Sequence, residues 1–155
     1  MNKPSDDSLP RPAAGPSGLE VLRSFIAAGK RPPMAVTLGF DLVEIEAGRA
    51  VFTGTPGVNT YNPLGMVHGG YAATLLDSAC GCAVHAQLRP NQTYTTLELK
   101  VAYHKPLTSE TGLVRAEGIV LSSGRRVAFA EAKLTDASGR LYASATSTLL
   151  VIEQS

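Results

Sequence analysis

A chain of 155 residues, 44% of them hydrophobic, holds enough apolar material for one core and leaves no room for a second catalytic domain. Its 14 basic and 13 acidic residues nearly cancel, which argues against a surface built to hold nucleic acid or an anionic membrane. Any recognition has to be local.

Residues 1–17 are rich in Pro, Ser and Asp and contain no apolar run that would serve as a signal peptide, so they read as a flexible arm ahead of one domain spanning 18–155. The protein is expected to be cytoplasmic, because no later segment approaches the ~18 uninterrupted apolar residues of a membrane span. Leu19, Leu22, Phe25 and Ile26 have helical spacing within Leu19 to Ala28, and Gly29 with Pro32-Pro33 closes that helix. Val36 to Ile45 and Arg49 to Thr55 are rich in Val, Ile, Phe and Thr and predict two strands joined by a turn at Glu46-Ala47-Gly48.

From His68 to about Leu88 the apolar residues Ala72, Leu75, Leu76, Ala79, Cys80, Ala83 and Val84 lie on every side of a helical wheel, which predicts a helix buried nearly all round. Thr74, Ser78 and His85 share one stripe, with Asp77 about 60° to one side at ~100° per residue. Cys80 and Cys82 point to different faces of this helix and cannot pair; they read as small core thiols. The histidines at 68, 85 and 104 have no ligand spacing, so no metal is expected.

After Asn91-Gln92-Thr93, an isolated glycosylation-like triplet, the period becomes two. Leu97, Leu99, Val101 and Tyr103 fall on one face, with Thr96, Glu98 and Lys100 on the other, and Pro106 ends the strand. Leu113 to Leu121, Arg126 to Thr135 and Leu141 to Val151 continue as an antiparallel meander with turns at Ser122-Ser123-Gly124 and Asp136-Ala137-Ser138-Gly139. A long buried helix flanked by strands calls for an α+β fold in which an antiparallel sheet curves around the helix. Ala128, Ala130, Ala132, Ala143 and Ala145 are small enough to let the helix come close.

The start of that helix carries unpaired backbone N–H groups and partial positive charge, and Gly69 and Gly70 leave those donors open to a ligand. Such a site suits an anion, or a carbonyl oxygen that becomes one during attack; the alternative is that the glycines merely begin a crowded helix. Asp77 needs either a structural hydrogen-bond partner or a chemical task in so apolar a setting. Gly69 and Asp77 are eight residues apart, roughly 12 Å along the axis, so one carbonyl cannot meet both from a single helix. If both act on one reacting centre, the acid comes from a second copy lying antiparallel across a two-fold axis.

These residues resemble the hotdog-fold acyl-CoA thioesterases, specifically the phenylacetate-degradation (PaaI-like) group. The match comprises Asn62, Gly65, His68-Gly69-Gly70 and Asp77 nine residues after the histidine. It continues through Thr96 to Tyr103 ending at Pro106, the Gly124-Arg125 turn, and Asp136 to Gly139 before Leu141-Tyr142-Ala143, covering about residues 35 to 151. The resemblance implies a hotdog fold, a long helix wrapped by the sheet, paired into a homodimer and often into a dimer of dimers with sites at the dimer interface.

It further implies that Gly69 N–H, helped by Asn62, polarises the thioester carbonyl. Asp77 of the other subunit would activate water or attack directly, with His68 holding the loop or lying near the leaving thiolate. Thr96 would support the water or Asp77, with Thr95 as the neighbouring choice. A related group has Glu where this chain has Asp77.

No cofactor is implied, because coenzyme A belongs to substrate and product. Its phosphates call for cations at the pocket mouth, for which Arg125 and Arg126 are the candidates, solvated hairpin charges being the alternative. Tyr61, Leu64, Met66 and Tyr71 are apolar enough to line an acyl or aryl pocket, and core packing would explain them equally well. The expected activity is hydrolysis of aromatic or medium-chain acyl-CoA. No Gly-x-Ser-x-Gly elbow is present, and Ser78 with His85 is the only serine–histidine arrangement the helix offers. A hotdog hydratase or dehydratase and a non-catalytic acyl-CoA binding module are the competing readings.

Overall fold

The computed structural model of the chain describes residues 15–154. Of the expected N-terminal arm, residues 1–14 lie outside the described residues. Ser17 starts helix α1 (Gly18–Ala27) with a reciprocal cap: its Oγ accepts from the Glu20 N–H at 3.4 Å, and the Glu20 carboxylate accepts from the Ser17 N–H at 2.7 Å. Strands β1 (Phe40–Glu46) and β2 (Arg49–Gly54) form the expected hairpin, with Gly48 at φ +80° in its two-residue turn.

One boundary is corrected. Val36, Thr37 and Leu38 belong to a short helix α2 (Pro33–Leu38), not to the first strand. Pro33 occupies the first helical position, where a missing N–H costs nothing, and Gly39 at φ +69° ends the helix by donating its N–H to the Ala35 carbonyl. The Pro-Pro pair that closes α1 therefore also opens α2.

Helix α3 (Gly69–His85) is followed by β3 (Gln92–Tyr103), β4 (Val114–Ser123), β5 (Val127–Asp136) and β6 (Leu141–Glu153). All six strands form one antiparallel sheet in the order β1-β2-β4-β5-β6-β3, and α3 lies against its inner face. The twelve-residue strand β3 therefore borders the sheet, and among the described residues no strand neighbours its outer edge.

The expected alanines do face the helix: Ala128 and Ala130 are fully buried and Ala132, Ala143 and Ala145 nearly so. On the sheet a still closer approach is made by Gly118 on β4, where a Cβ would sit 2.3 Å from the Ala79 carbonyl oxygen. Opposite this surface Leu75, Leu76, Ala79, Cys80, Ala83 and Val84 are all wholly buried, and each of the two leucines contributes about 1.5–3 kcal/mol by leaving water. The all-round burial expected of α3 is not complete in one chain. Ala73, Thr74, Asp77, Ser78, Cys82 and His85 form a stripe that stays half-buried.

The alternation expected of β3 is also corrected. A β-bulge between Thr96 and Glu98 makes Leu97 an extra residue, 57% exposed, so that Thr96 faces inward together with Leu99 and Val101. Tyr103, expected on the buried face, is 56% exposed at the strand end. Among the described residues no helix is long and apolar enough to cross a membrane.

Candidate active site

The loop before α3 is shaped by Asn62. Its Oδ1 accepts from the N–H groups of Leu64 (2.9 Å) and Met66 (3.3 Å), its own N–H donates to the Met66 carbonyl (2.7 Å), and Gly65 at φ +79° closes the turn. The Val67 N–H then donates to the Leu107 carbonyl at 3.0 Å and the His68 N–H to that of Thr60 at 2.8 Å. These bonds deliver His68 as the N-cap of α3, where its ring Nδ1 accepts from the Gly70 N–H at 2.8 Å. An accepting Nδ1 is bare, so the neutral ring carries its proton on Nε2.

The Gly70 N–H is thus taken by His68 and is not open to a ligand, contrary to the expectation that both glycines offer one. The Gly69 N–H has no hydrogen-bond partner among the described residues. Tyr103, at the end of β3, donates its hydroxyl to the Gly69 carbonyl at 2.9 Å, and its ring lies where a Gly69 Cβ would come within 3.0 Å of it. The helix start is held between two rings, and only glycine fits there without displacing one.

Asp77 lies two turns further along. Its Oδ1 accepts from the Thr96 hydroxyl at 3.1 Å, which selects Thr96 over Thr95, since Thr95 points outward. The bulge at Leu97 is the reason: it lets Thr96 face the helix while the downstream half of the strand keeps Leu99 and Val101 inward. Burial above all, with Asp77's charge adding to it, pushes the thiols of Cys80 and Cys82 up to about 12, so neither is a ready nucleophile. Burial also pushes His85 below its ordinary value. Among the described residues no hydrogen bond joins Ser78 to His85; seven residues, roughly 10 Å, separate them along the axis.

A cavity of about 300 Å³ opens beside Gly69. It is lined by Asn62, Met66, His68 and Gly69 from the loop and helix start, by Tyr103, His104 and Lys105 from the end of β3, and by Ala72, Leu107 and Tyr142. Asp77 does not line it. One chain therefore gathers Asn62, Met66, His68 and Gly69 and leaves Asp77 with Thr96 elsewhere.

Several expected pocket residues lie apart. Leu64 is 79% exposed and is absent from the cavity lining. Tyr71 belongs to the core at 3% exposure, its hydroxyl pressed toward Gly54. Tyr61 ties its hydroxyl to Ser109 (3.0 Å) and faces a neighbouring hollow beyond His68.

Arg125 and Arg126 share a separate hollow with Arg89 and Glu153, and the Arg126 carbonyl accepts from Val151 near the far end of β6. From Tyr142 to Val151 is nine residues, roughly 30 Å of strand, so within one chain these arginines are remote from Gly69.

Sequence reasoning missed Tyr103, His104, Lys105 and Tyr142. Their place depends on the pairing of Tyr103 with Ala143, forty residues apart, which no local pattern announces. The His104 backbone donates to the Tyr142 carbonyl (2.8 Å), as does that of Lys105 (3.1 Å), so this wall is fixed to β6. Among the described residues no group of three or more His, Cys, Asp or Glu is placed to hold a metal ion.

Residues 64–143, just over half the chain, match the family described as the Thioesterase superfamily. The chain is 27% identical over 115 residues to a 1,4-dihydroxy-2-naphthoyl-CoA hydrolase of Listeria monocytogenes, covering 74% of this chain and 92% of that protein. It is 28% identical over 121 residues to the proofreading thioesterase EntH of Klebsiella pneumoniae, covering 78% and 87%. Among solved structures, a mutant of the phenylacetic acid degradation protein PaaI from Thermus thermophilus superposes with a TM-score of 0.70 at 26% identity, over 77% of this chain and 98% of that one. A single long helix against a six-stranded antiparallel sheet and the family match over residues 64–143 agree: the chain belongs to the thioesterase superfamily, has the hotdog fold, and is a thioester hydrolase.

Proposed function

We propose that the protein hydrolyses aromatic or medium-chain acyl-CoA as a homodimer, each site taking Gly69 from one protomer and Asp77 from its partner. The observation that carries this reading is the unpartnered Gly69 N–H at the cavity, set against an Asp77 that is half-buried on the open stripe of the same helix. Roughly 12 Å of helix separates them, so they meet only if two helices lie antiparallel. The free edge of β3 supports that arrangement: two such edges pairing about a two-fold axis would continue the sheet and set the two α3 stripes side by side. A further pairing of dimers is part of the same reading.

The Gly69 N–H, at the positive end of α3, holds the thioester oxygen as it gains charge. Asp77 of the partner subunit, steadied by its Thr96, takes a proton from water as the water oxygen bonds to the carbonyl carbon. When the carbon–sulfur bond breaks, the electron pair leaves on sulfur, and the proton passes to that thiolate, giving the acid and free coenzyme A. His68 presents Nε2–H toward the leaving group, and the Asn62 amide N–H donors remain for the oxygen while its Oδ1 holds the turn. The aromatic part of the acyl class is supported by the relatives, one of which is named for a naphthoyl-CoA and another for phenylacetic acid degradation.

The test is thiol release from a panel of acyl-CoAs by wild type and Asp77→Asn. A fall of roughly 10²–10⁴-fold in kcat is expected, and equal rates would remove Asp77 from the mechanism. Mixing Asp77→Asn with Gly69→Pro subunits should restore activity, since one site of each mixed dimer is then intact; no recovery on exchange would refute the shared site.

A further inference from the structure

We infer that Lys105, with His104 beside it, forms the site for the phosphates of coenzyme A, at the mouth of the cavity that begins at Gly69. This rests on the reading above and names where the coenzyme A half of the substrate lies. Lys105 is the one lysine or arginine lining that cavity, and it has no acidic partner among the described residues. An ammonium there is free for an anion, whereas an uncharged acyl group would have no use for it.

The position is built. The backbones of His104 and Lys105 both donate to the Tyr142 carbonyl, and His104 Nε2 lies 2.9 Å from the Ser144 hydroxyl, so the segment that carries the charge is fixed to β6. Tyr103, in contact with Gly69, is only two residues away, roughly 7 Å of extended chain. The pantetheine arm is long enough to run from a thioester at the Gly69 N–H, past the apolar walls of Met66 and Leu107, to a diphosphate at Lys105. With coenzyme A on this side, the acyl group lies on the other side of the carbonyl, against the α3 stripe of the partner. Arg125 and Arg126 of the Gly69-bearing chain are roughly 30 Å away along β6 and do not take part.

The experiment compares one acyl group carried on coenzyme A and on N-acetylcysteamine, which has the thioester and no phosphate. Lys105→Ala should raise KM for the coenzyme A ester about five- to tenfold and leave KM for the N-acetylcysteamine ester unchanged. Calorimetry with coenzyme A itself should show the same loss, and added salt should weaken binding to wild type more than to the variant. An equal rise in KM for both esters, unchanged coenzyme A affinity, or transfer of the selective effect to Arg125→Ala or Arg126→Ala would overturn the assignment. Because the calorimetric arm needs no turnover, a chain that cleaves neither ester still reports on Lys105.

Discussion

On the sheet-facing side of α3, Leu75, Leu76, Ala79, Cys80, Ala83 and Val84 are wholly buried and Gly118 admits the helix backbone to contact, whereas on the open stripe Thr74, Asp77 and Ser78 stay half-exposed. The first face has almost no chemistry and all of the packing. The second has little packing and holds the acid. One helix thus packs the core on one side and presents its acid on the other, and substitutions on its two sides should fail in different ways.

The largest effect belongs to the packed face. Leu75→Ala should lose about 2–5 kcal/mol of stability in urea unfolding, while Asp77→Asn, on the open stripe, should change stability by less than about 1 kcal/mol. A variant pair with these two outcomes exchanged would erase the division between the faces.

Next come the two substitutions at the helix start. Gly69→Ala and Gly69→Pro both place a Cβ against Tyr103, but only proline removes the N–H; His68 at ψ 135° already has the backbone that a following proline requires. The proline variant should have a kcat lower by roughly 10²–10³-fold than the alanine variant. Similar rates for the two would show that crowding, and not the lost donor, is what matters there.

Smaller effects come from the supports. Thr96→Val, which removes the hydroxyl on Asp77, should lower kcat by roughly tenfold with KM nearly constant. Tyr103→Phe keeps the ring over Gly69 and loses only the bond to its carbonyl, so a drop in kcat of about fivefold is expected. If the two variants act through KM alone, they serve binding and not the orientation of reacting groups.

The smallest effect is on pH dependence. Burial holds His85 below its ordinary value of 6.5, so as the pH falls the unfolded chain binds the proton first. Stability from this source is complete above about 6.5 and is lost as the pH drops through the lower folded value. His85→Gln should flatten that part of the acid unfolding curve, and an unchanged curve would mean that His85 is not the group responsible.

Much of this was legible beforehand because it is local. The apolar wheel of α3 and the turns at Gly48, Gly124 and Gly139 are short-range patterns that appear where expected, while the period of two after Asn91 announced strand β3 but not the bulge that changes its faces. Pro33 and Gly39 carried a helix signal masked by Val36 and Thr37, residues that equally suit a strand. Leu64 and Tyr71 looked alike as apolar neighbours of the site, yet Leu64 is exposed on a loop shaped by Gly65 and the Asn62 turn, while Tyr71 lies on α3 and is buried with its hydroxyl toward Gly54 of β2. The cavity's far wall was not legible, because it is made by the register of β3 on β6.

The extra residue at Leu97 ties the sheet to the acid in a way that concerns insertions and deletions more than substitutions. Removing it would leave Thr96 opposite Leu149 and Glu98 opposite Thr148 and keep Thr96, Leu99 and Val101 on the inner face, whereas pairing it into a straight ladder would turn either Thr96 away from Asp77 or Leu99 and Val101 out of the core. The Ser147 hydroxyl, donating to the Glu98 carbonyl at 3.0 Å, closes the backbone gap that the bulge leaves. A lineage carrying this chain can exchange or lose the residue at 97, yet it cannot draw that residue into the ladder without giving up either the hydroxyl or the core.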